Sequence, residues 1–282
     1  MENTKIQWAS HTFNPWIGCS RAHEGCDNCY AADLSGRLGV TWGPTGSRRS
    51  TTEWYWRQPV RWDRNQRDAA CCGAPESDQV RVFPSLCDPF EQWTGPILDH
   101  DKKALWINQN GEIDPKGDRM LTMSDLRRKL FQVIDATSLT WILCTKRPQN
   151  IREMWPDTNH RKNVWLVYSA ANQRTFDHGV EELHRCRALA PVLGVSLEPL
   201  LGPVDLSAAK LDWVIVGGES GPKARPCHVD WIRDILSQCA ATPTFVKQLG
   251  SQPVGIENKL KDRKGGDPSE WPADLRVRQF PK

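Results

Sequence analysis

Six short runs of apolar, β-branched and aromatic residues recur along the chain: Val80–Ser85, Leu139–Cys144, Val164–Ser169, Val192–Leu197, Trp213–Val216 and Thr244–Val246. Runs this short and this uniformly apolar read as strands buried on both faces rather than as alternating half-exposed ones. Helical patterns fall between several of them. Ser124 can cap a helix carrying Leu126, Leu130, Val133 and Ile134 on one face; Phe176, Val180, Leu183 and Leu189 mark a second. Asp230 can cap a third, with Trp231, Ile232, Ile235, Leu236 and Cys239 inside it. Strand-then-helix alternation with fully apolar strands argues a parallel sheet. With Asn14–Gly18 as a first strand, about seven strands are expected, so the predicted class is α/β: a full or partial parallel βα barrel of the TIM type. Residues 1–250 read as a single barrel domain with an Asp-, Gly- and Lys-rich insertion at about 91–122, and 251–282 read as a polar C-terminal extension.

The apolar runs are far below the ~18 residues that a membrane helix needs. The opening MENTKIQWASHTF has no basic start followed by an apolar core, so neither a signal peptide nor a membrane partner is expected, and the predicted location is cytoplasmic. Disulfides are rare there, so the ten cysteines read as free thiols, core fillers or metal ligands. The net charge of +3 is too small to imply a partner, but it is unevenly placed. Between residues 37 and 67 stand seven arginines (Arg37, Arg48, Arg49, Arg57, Arg61, Arg64, Arg67) against Glu53 and Asp63, interleaved with Trp42, Trp54, Tyr55, Trp56 and Trp62. Arginines attract phosphates and aromatic rings stack on exposed bases, so Arg48, Arg49, Trp54, Trp56 and Arg57, together with Lys146, are candidate contacts to a nucleic acid or nucleotide. The competing reading is structural, with rings packed over the barrel and arginines reaching past them to water.

In parallel α/β folds, sites form at the C-terminal ends of strands. The stretch GCSRAHEGCDNCYA lies after the first candidate strand and holds Cys19, Cys26 and Cys29, with six residues between the first pair and two between the second. CDP (87–89), CTKRP (144–148), SAAN (169–172), LEP (197–199), GGESG (217–221) and KQ (247–248) follow other candidate strands. Three thiols plus His11 or His23 would make a structural zinc site. A cubane iron–sulfur cluster held by three thiolates instead leaves one iron open to a small molecule. Gly18 and Gly25 precede the first two cysteines and allow the backbone to wrap closely around an inorganic core.

The ordered motifs TKIQW…FNPWIGCS…GCDNCYA, RVFPSLCDPF, WILCTKRPQNI, VWLVYSAANQ, VSLEPLLGPVDL, WVIVGGESGPKARP and FVKQLG give the chain a resemblance, from about Thr4 to Gly250, to a bacteriophage-type three-cysteine protein family. That family is regarded as radical-S-adenosylmethionine-like, with no substrate assigned. The resemblance implies a radical-SAM-type barrel in which Cys19, Cys26 and Cys29 hold a 4Fe-4S cluster. The open iron would bind S-adenosylmethionine, whose one-electron cleavage would release a 5′-deoxyadenosyl radical for hydrogen abstraction from a nucleic-acid base or nucleotide, as phage-type modification or repair. An electron donor such as flavodoxin or ferredoxin would be a further partner. Tyr30, Glu198, Gly217, Gly218 and Glu219 are the candidate contacts to S-adenosylmethionine. The pattern differs from the usual radical one: six residues between the first two cysteines are more than usual, Asn28 stands where an aromatic residue usually precedes the last cysteine, and Gly217-Gly218-Glu219 follows a late strand rather than the second.

Other residues carry two readings each. Glu198 can bind a ribose or an amine, or pair with Lys146 or Arg147. Lys247 can be catalytic, a counter-charge to the cluster, or a salt-bridge partner. Asp88, Asn14 and Asn172 can line the site or cap loops, and Cys87 and Cys144 can be ligands or core. The functional class that competes with a radical enzyme is a zinc-stabilised nucleic-acid-binding protein without catalysis.

Overall fold

The computed structural model describes residues 1–75 and 79–282. Among these, seven strands form one sheet: β1 (His11–Thr12), β2 (Arg81–Phe83), β3 (Thr140–Thr145), β4 (Val164–Ala170), β5 (Val192–Leu197), β6 (Trp213–Gly217) and β7 (Thr244–Gln248). Their hydrogen-bonded order follows the chain order, and the sheet is parallel. A doubly wound sheet would reverse its order at a switch point; simple succession is the arrangement of a βα barrel. The order is open, with β1 and β7 at its two ends, which is the partial form of the barrel expected from sequence. Every residue of β5 and β6 is buried, as apolar strands covered on both faces require.

The first strand differs from the expectation. Asn14–Gly18 does not join this sheet; β1 ends at Thr12, and Trp16–Ile17 pairs instead with Arg48–Ser50, which also pairs with Ile97–Leu98. Pro15 is the physical reason, since it has no N–H to give a ladder and constrains Asn14 before it. Two helix caps also move. Helix α1 (Met123–Asp135) is capped by Thr122 in a reciprocal box with Asp125, rather than by Ser124. Helix α3 (Val229–Gln238) starts after His228, with Asp230 inside its first turn. Helix α2 (Gln173–His184), between them in the chain, is capped by Asn172 and buries Phe176, Val180 and Leu183. Its Gly179 permits contact with β4: a Cβ there would lie 2.4 Å from the Tyr168 ring.

The chain divides into two compact units. The first comprises residues 1–21, 31–143 and 152–164. Its aromatic core gathers around Phe13, which stacks on Tyr55 at 5.1 Å and meets Trp56 and Trp141 edge-on. Residues 91–122 belong to this unit, with Trp106–Ile107 pairing with Arg119–Met120 in a hairpin. The second unit comprises residues 22–30, 144–151 and 165–282. Here the C-terminal segment lies along the free edge of β7: Val246 N–H donates to Val277 O and Gln279 N–H to Thr244 O, while Trp271 and Leu275 are buried. Among the described residues no helix is long and apolar enough to cross a membrane.

Candidate functional site

The second unit holds a short loop, residues 22–30, that carries Cys26 and Cys29 on one tight turn, Cys29 N–H donating to Cys26 O at 3.2 Å. Its ties run to residues at the C-terminal ends of parallel strands. Gly25 N–H donates to His23 Nδ1, so the ring proton sits on Nε2, which donates to Ser169 O at the end of β4 at 3.0 Å. Asn28, between the two cysteines, donates to Glu219 Oε2 at 3.0 Å and to Lys223 O at 2.9 Å, just beyond β6. Arg225 grips Glu219 through Nε and Nη2 and donates to Glu24 O through Nη1. Asn172 and Arg174, at the start of α2, donate to the Glu24 carboxylate.

The electrostatics keep these ties charged. Glu219 is buried, which works against ionisation, yet hydrogen bonds from Arg225 and Asn28 outweigh this and hold its carboxyl below the ordinary range. Glu24 is drawn down to about 2, first by its own backbone N–H and then by Asn172 and Arg174. Both are therefore carboxylates at neutral pH.

Glu219 was expected at the amine of S-adenosylmethionine. In the structure its two oxygens are taken by Arg225 and Asn28, so it braces the cysteine loop. Glu198, just past the end of β5, pairs with Lys247 at the end of β7, at 2.7 Å. Gly217 lies on the strand between them; a Cβ there would come within 3.4 Å of Glu198 Oε1 and 3.0 Å of Gln248 O. A carboxylate and an ammonium thus meet over bare backbone. Gly218 is equally tight, with Gln248 Nε2 donating to its carbonyl at 2.8 Å. Lys146 donates to Ser169 Oγ at 2.5 Å. Tyr30 is 49% exposed.

The arginine- and tryptophan-rich segment belongs to the first unit, and two of its candidate ligand contacts are core residues. Arg48 is fully buried, held by both oxygens of Glu91 at 2.7 Å, by Ser20 Oγ and by Ser47 O, with Trp93 4.1 Å beneath its guanidinium. Trp56 is 4% exposed and packs on Phe13. Arg49 is half-buried, whereas Arg57 and Trp54, the latter 69% exposed, face solvent. Arg61 and Arg67 are answered by Glu2 and Asp63. Asn14 and Asp88 cap loops, accepting from Leu86 N–H and Phe90 N–H. The sequence signal for the loop's bracing was present in the conjunction of Asn28, Glu219 and Arg225, but spacing alone assigns no partner to a lone arginine.

Cys19 lies in the first unit, Cys26 and Cys29 in the second. Among the described residues no three His, Cys, Asp or Glu side chains are gathered into a metal site. The donor chemistry nevertheless fits an iron–sulfur group: all three are half-buried cysteines outside any disulfide, and Cys26 Sγ accepts from Ala22 N–H at 3.5 Å.

Among curated proteins compared by sequence, none matches. Two solved structures resemble the chain in three dimensions. One is a double mutant of spore photoproduct lyase with bound AdoMet and dinucleoside spore photoproduct: TM-score 0.44, 13% identity, covering 86% of this chain and 64% of that one. The other is a tyrosine-to-phenylalanine mutant of the same lyase, with TM-score 0.44, 12% identity and the same coverage. The chain thus spans less than two thirds of the length of either. Residues 3–269 match a family profile described as a protein of unknown function, and the chain belongs to that family, DUF5131.

Proposed function

We propose that this chain is a radical S-adenosylmethionine-type enzyme acting on a nucleic-acid base or nucleotide, with Cys19, Cys26 and Cys29 as the ligands of a 4Fe-4S cluster. The observation that carries the reading is the fastening of the Cys26–Cys29 loop to Ser169 and Glu219, just at or past the C-terminal ends of β4 and β6, where sites of parallel α/β folds form. When bound, the cluster and S-adenosylmethionine supply one-electron cleavage of a sulfonium bond. The chain's own residues bind and orient. Glu198 and Lys247 offer a carboxylate for the ammonium and an ammonium for the carboxylate of the methionyl group, beside the side-chain-free backbone of Gly217. Glu219, Arg225 and His23 hold the thiol loop, and Tyr30 offers a ring to the adenine. An electron donor of the flavodoxin or ferredoxin class and a cytoplasmic location belong to the same reading.

Anaerobic purification tests it. Brown protein absorbing near ~400 nm, with stoichiometric iron and sulfide, is the expected result. Colourless protein with one zinc would favour the non-catalytic nucleic-acid-binding alternative and end the enzyme reading. Calorimetry with S-adenosylmethionine is the second test: Glu198→Gln is expected to weaken binding by about tenfold or more, since a charge-assisted hydrogen bond is lost. Unchanged affinity would move the amine contact off Glu198.

A further inference from the structure

Within the first unit, residues 53–71 turn one side inward and the other to solvent. Glu53–Trp56 and Gln58–Cys71 are helical, and Arg57 between them keeps right-handed helical angles, its N–H donating to Trp54 O while Arg61 N–H donates to Arg57 O. Pro59 stands in the first turn of the second helix, where its missing N–H costs least. Trp56, Gln58, Pro59, Trp62 and Asp63 are buried. Spacings of three and four residues put Trp54, Arg57, Arg61 and Arg64 in one stripe on the opposite side, all four exposed. Arg61 is committed to Glu2. Among the described residues neither Arg57 nor Arg64 has a carboxylate partner, and the Trp54 ring meets no other ring. Exposed Asp68 closes the stripe one turn after Arg64.

We propose that this stripe docks a single-stranded segment of a nucleic acid, with phosphates on Arg57 and Arg64 and a base on the Trp54 ring. The two arginines are seven helical residues apart, about 10 Å. A stacked strand advances about 3.4 Å per nucleotide, so they meet phosphates about three nucleotides apart. Each guanidinium fork fits two oxygens of one phosphate. An exposed indole offers a face that any unpaired base can cover, whereas a base inside a duplex has both faces taken by its neighbours. The only other large apolar side chain exposed along the stripe is Val60, too little for the apolar core of a protein interface. Of the contacts expected from sequence, Arg48 and Trp56 are interior, and Arg64 stands on the stripe instead. Resting on the proposed function, this makes a single strand the form in which the substrate arrives, while docking itself needs no cluster.

The test is fluorescence anisotropy of a labelled oligothymidine, and of a duplex of equal length, with the full chain free of iron across a salt series. Each phosphate contact to a single strand contributes about −0.7 to the slope of log K against log salt. Arg57→Ala and Arg64→Ala are each expected to make the slope shallower by about 0.7. Trp54→Ala is expected to weaken binding about fivefold or more with the slope unchanged, and Asp68→Asn to tighten it, because a repelling charge is removed. Arg185→Ala, which removes an exposed arginine of the second unit paired with Glu182, controls for net charge alone. The three stripe positions are exposed and separate, so loss of fold in one variant leaves the other two to decide. Absent binding of the single strand, tighter binding of the duplex, equal losses in Arg185→Ala, or unchanged affinity and slope in all three stripe variants overturns the proposal. Iron loading is a separate readout: brown protein that ignores the strand ends the docking but not the radical reading, and colourless protein that binds it does the reverse.

Discussion

Arg48 shows how a residue's environment reverses its apparent role. In the sequence it stands in a run of arginines and reads as a phosphate contact; in the fold it is an internal cation neutralised by Glu91, which lies 43 positions later. Removing one partner of such a pair leaves a charge with no water to solvate it. Glu91→Ala is expected to cost about 3–5 kcal/mol in urea unfolding, against about 0.5 or less for exposed Arg57→Ala. A cost below ~1 kcal/mol would mean that Arg48 escapes to solvent. The same lesson applies at the candidate site. The cysteine spacing and the glycine pair were legible because they are local, whereas the partnerships of Glu219 with Arg225 and of Glu198 with Lys247 depend on which strand ends become neighbours. Glu219→Gln is expected to leave the fold standing while raising amide hydrogen exchange across residues 24–29. Unaltered protection there would show that the loop does not depend on Glu219.

Among the elements, those with apolar runs flanked by turns were readable to within about two residues, because burial on both faces imposes a composition that survives without context. The failures have local causes: Pro15 ends the first strand early, and the caps of α1 and α3 move because several polar residues compete near each helix start. Helix α2 offers a test of packing against propensity. Alanine is normally the better helix former by about 1 kcal/mol, but a methyl at Gly179 would press on the Tyr168 ring. Gly179→Ala should therefore lose about 1–3 kcal/mol of stability in denaturant melts. A gain would show that the ring can yield.

For the whole molecule, pH and the C-terminal segment are the levers. Glu24 and Glu219 both ionise more readily folded than unfolded. Their contribution is complete above the ordinary carboxylate range near 4.3 and is lost as pH falls toward about 2, where Glu24 takes up its proton. Acid titration followed by fluorescence should show stability falling through that window, and the Glu24→Gln variant should show a shallower fall; identical curves would remove Glu24 from the account. Trp271 is 2% exposed, so Trp271→Ala is expected to cost about 3–5 kcal/mol, and a neutral result would make the segment dispensable. The cover over β7 also has a consequence in time. The last sheet strand is complete at Gln248, but the backbone groups on its outer edge are answered only by residues up to Gln279. A ribosome adding about 5–20 residues per second leaves that edge open for about 2–6 s in every nascent chain. During that interval a neighbouring chain can pair with it, so crowded synthesis should yield more aggregate than refolding of the finished protein.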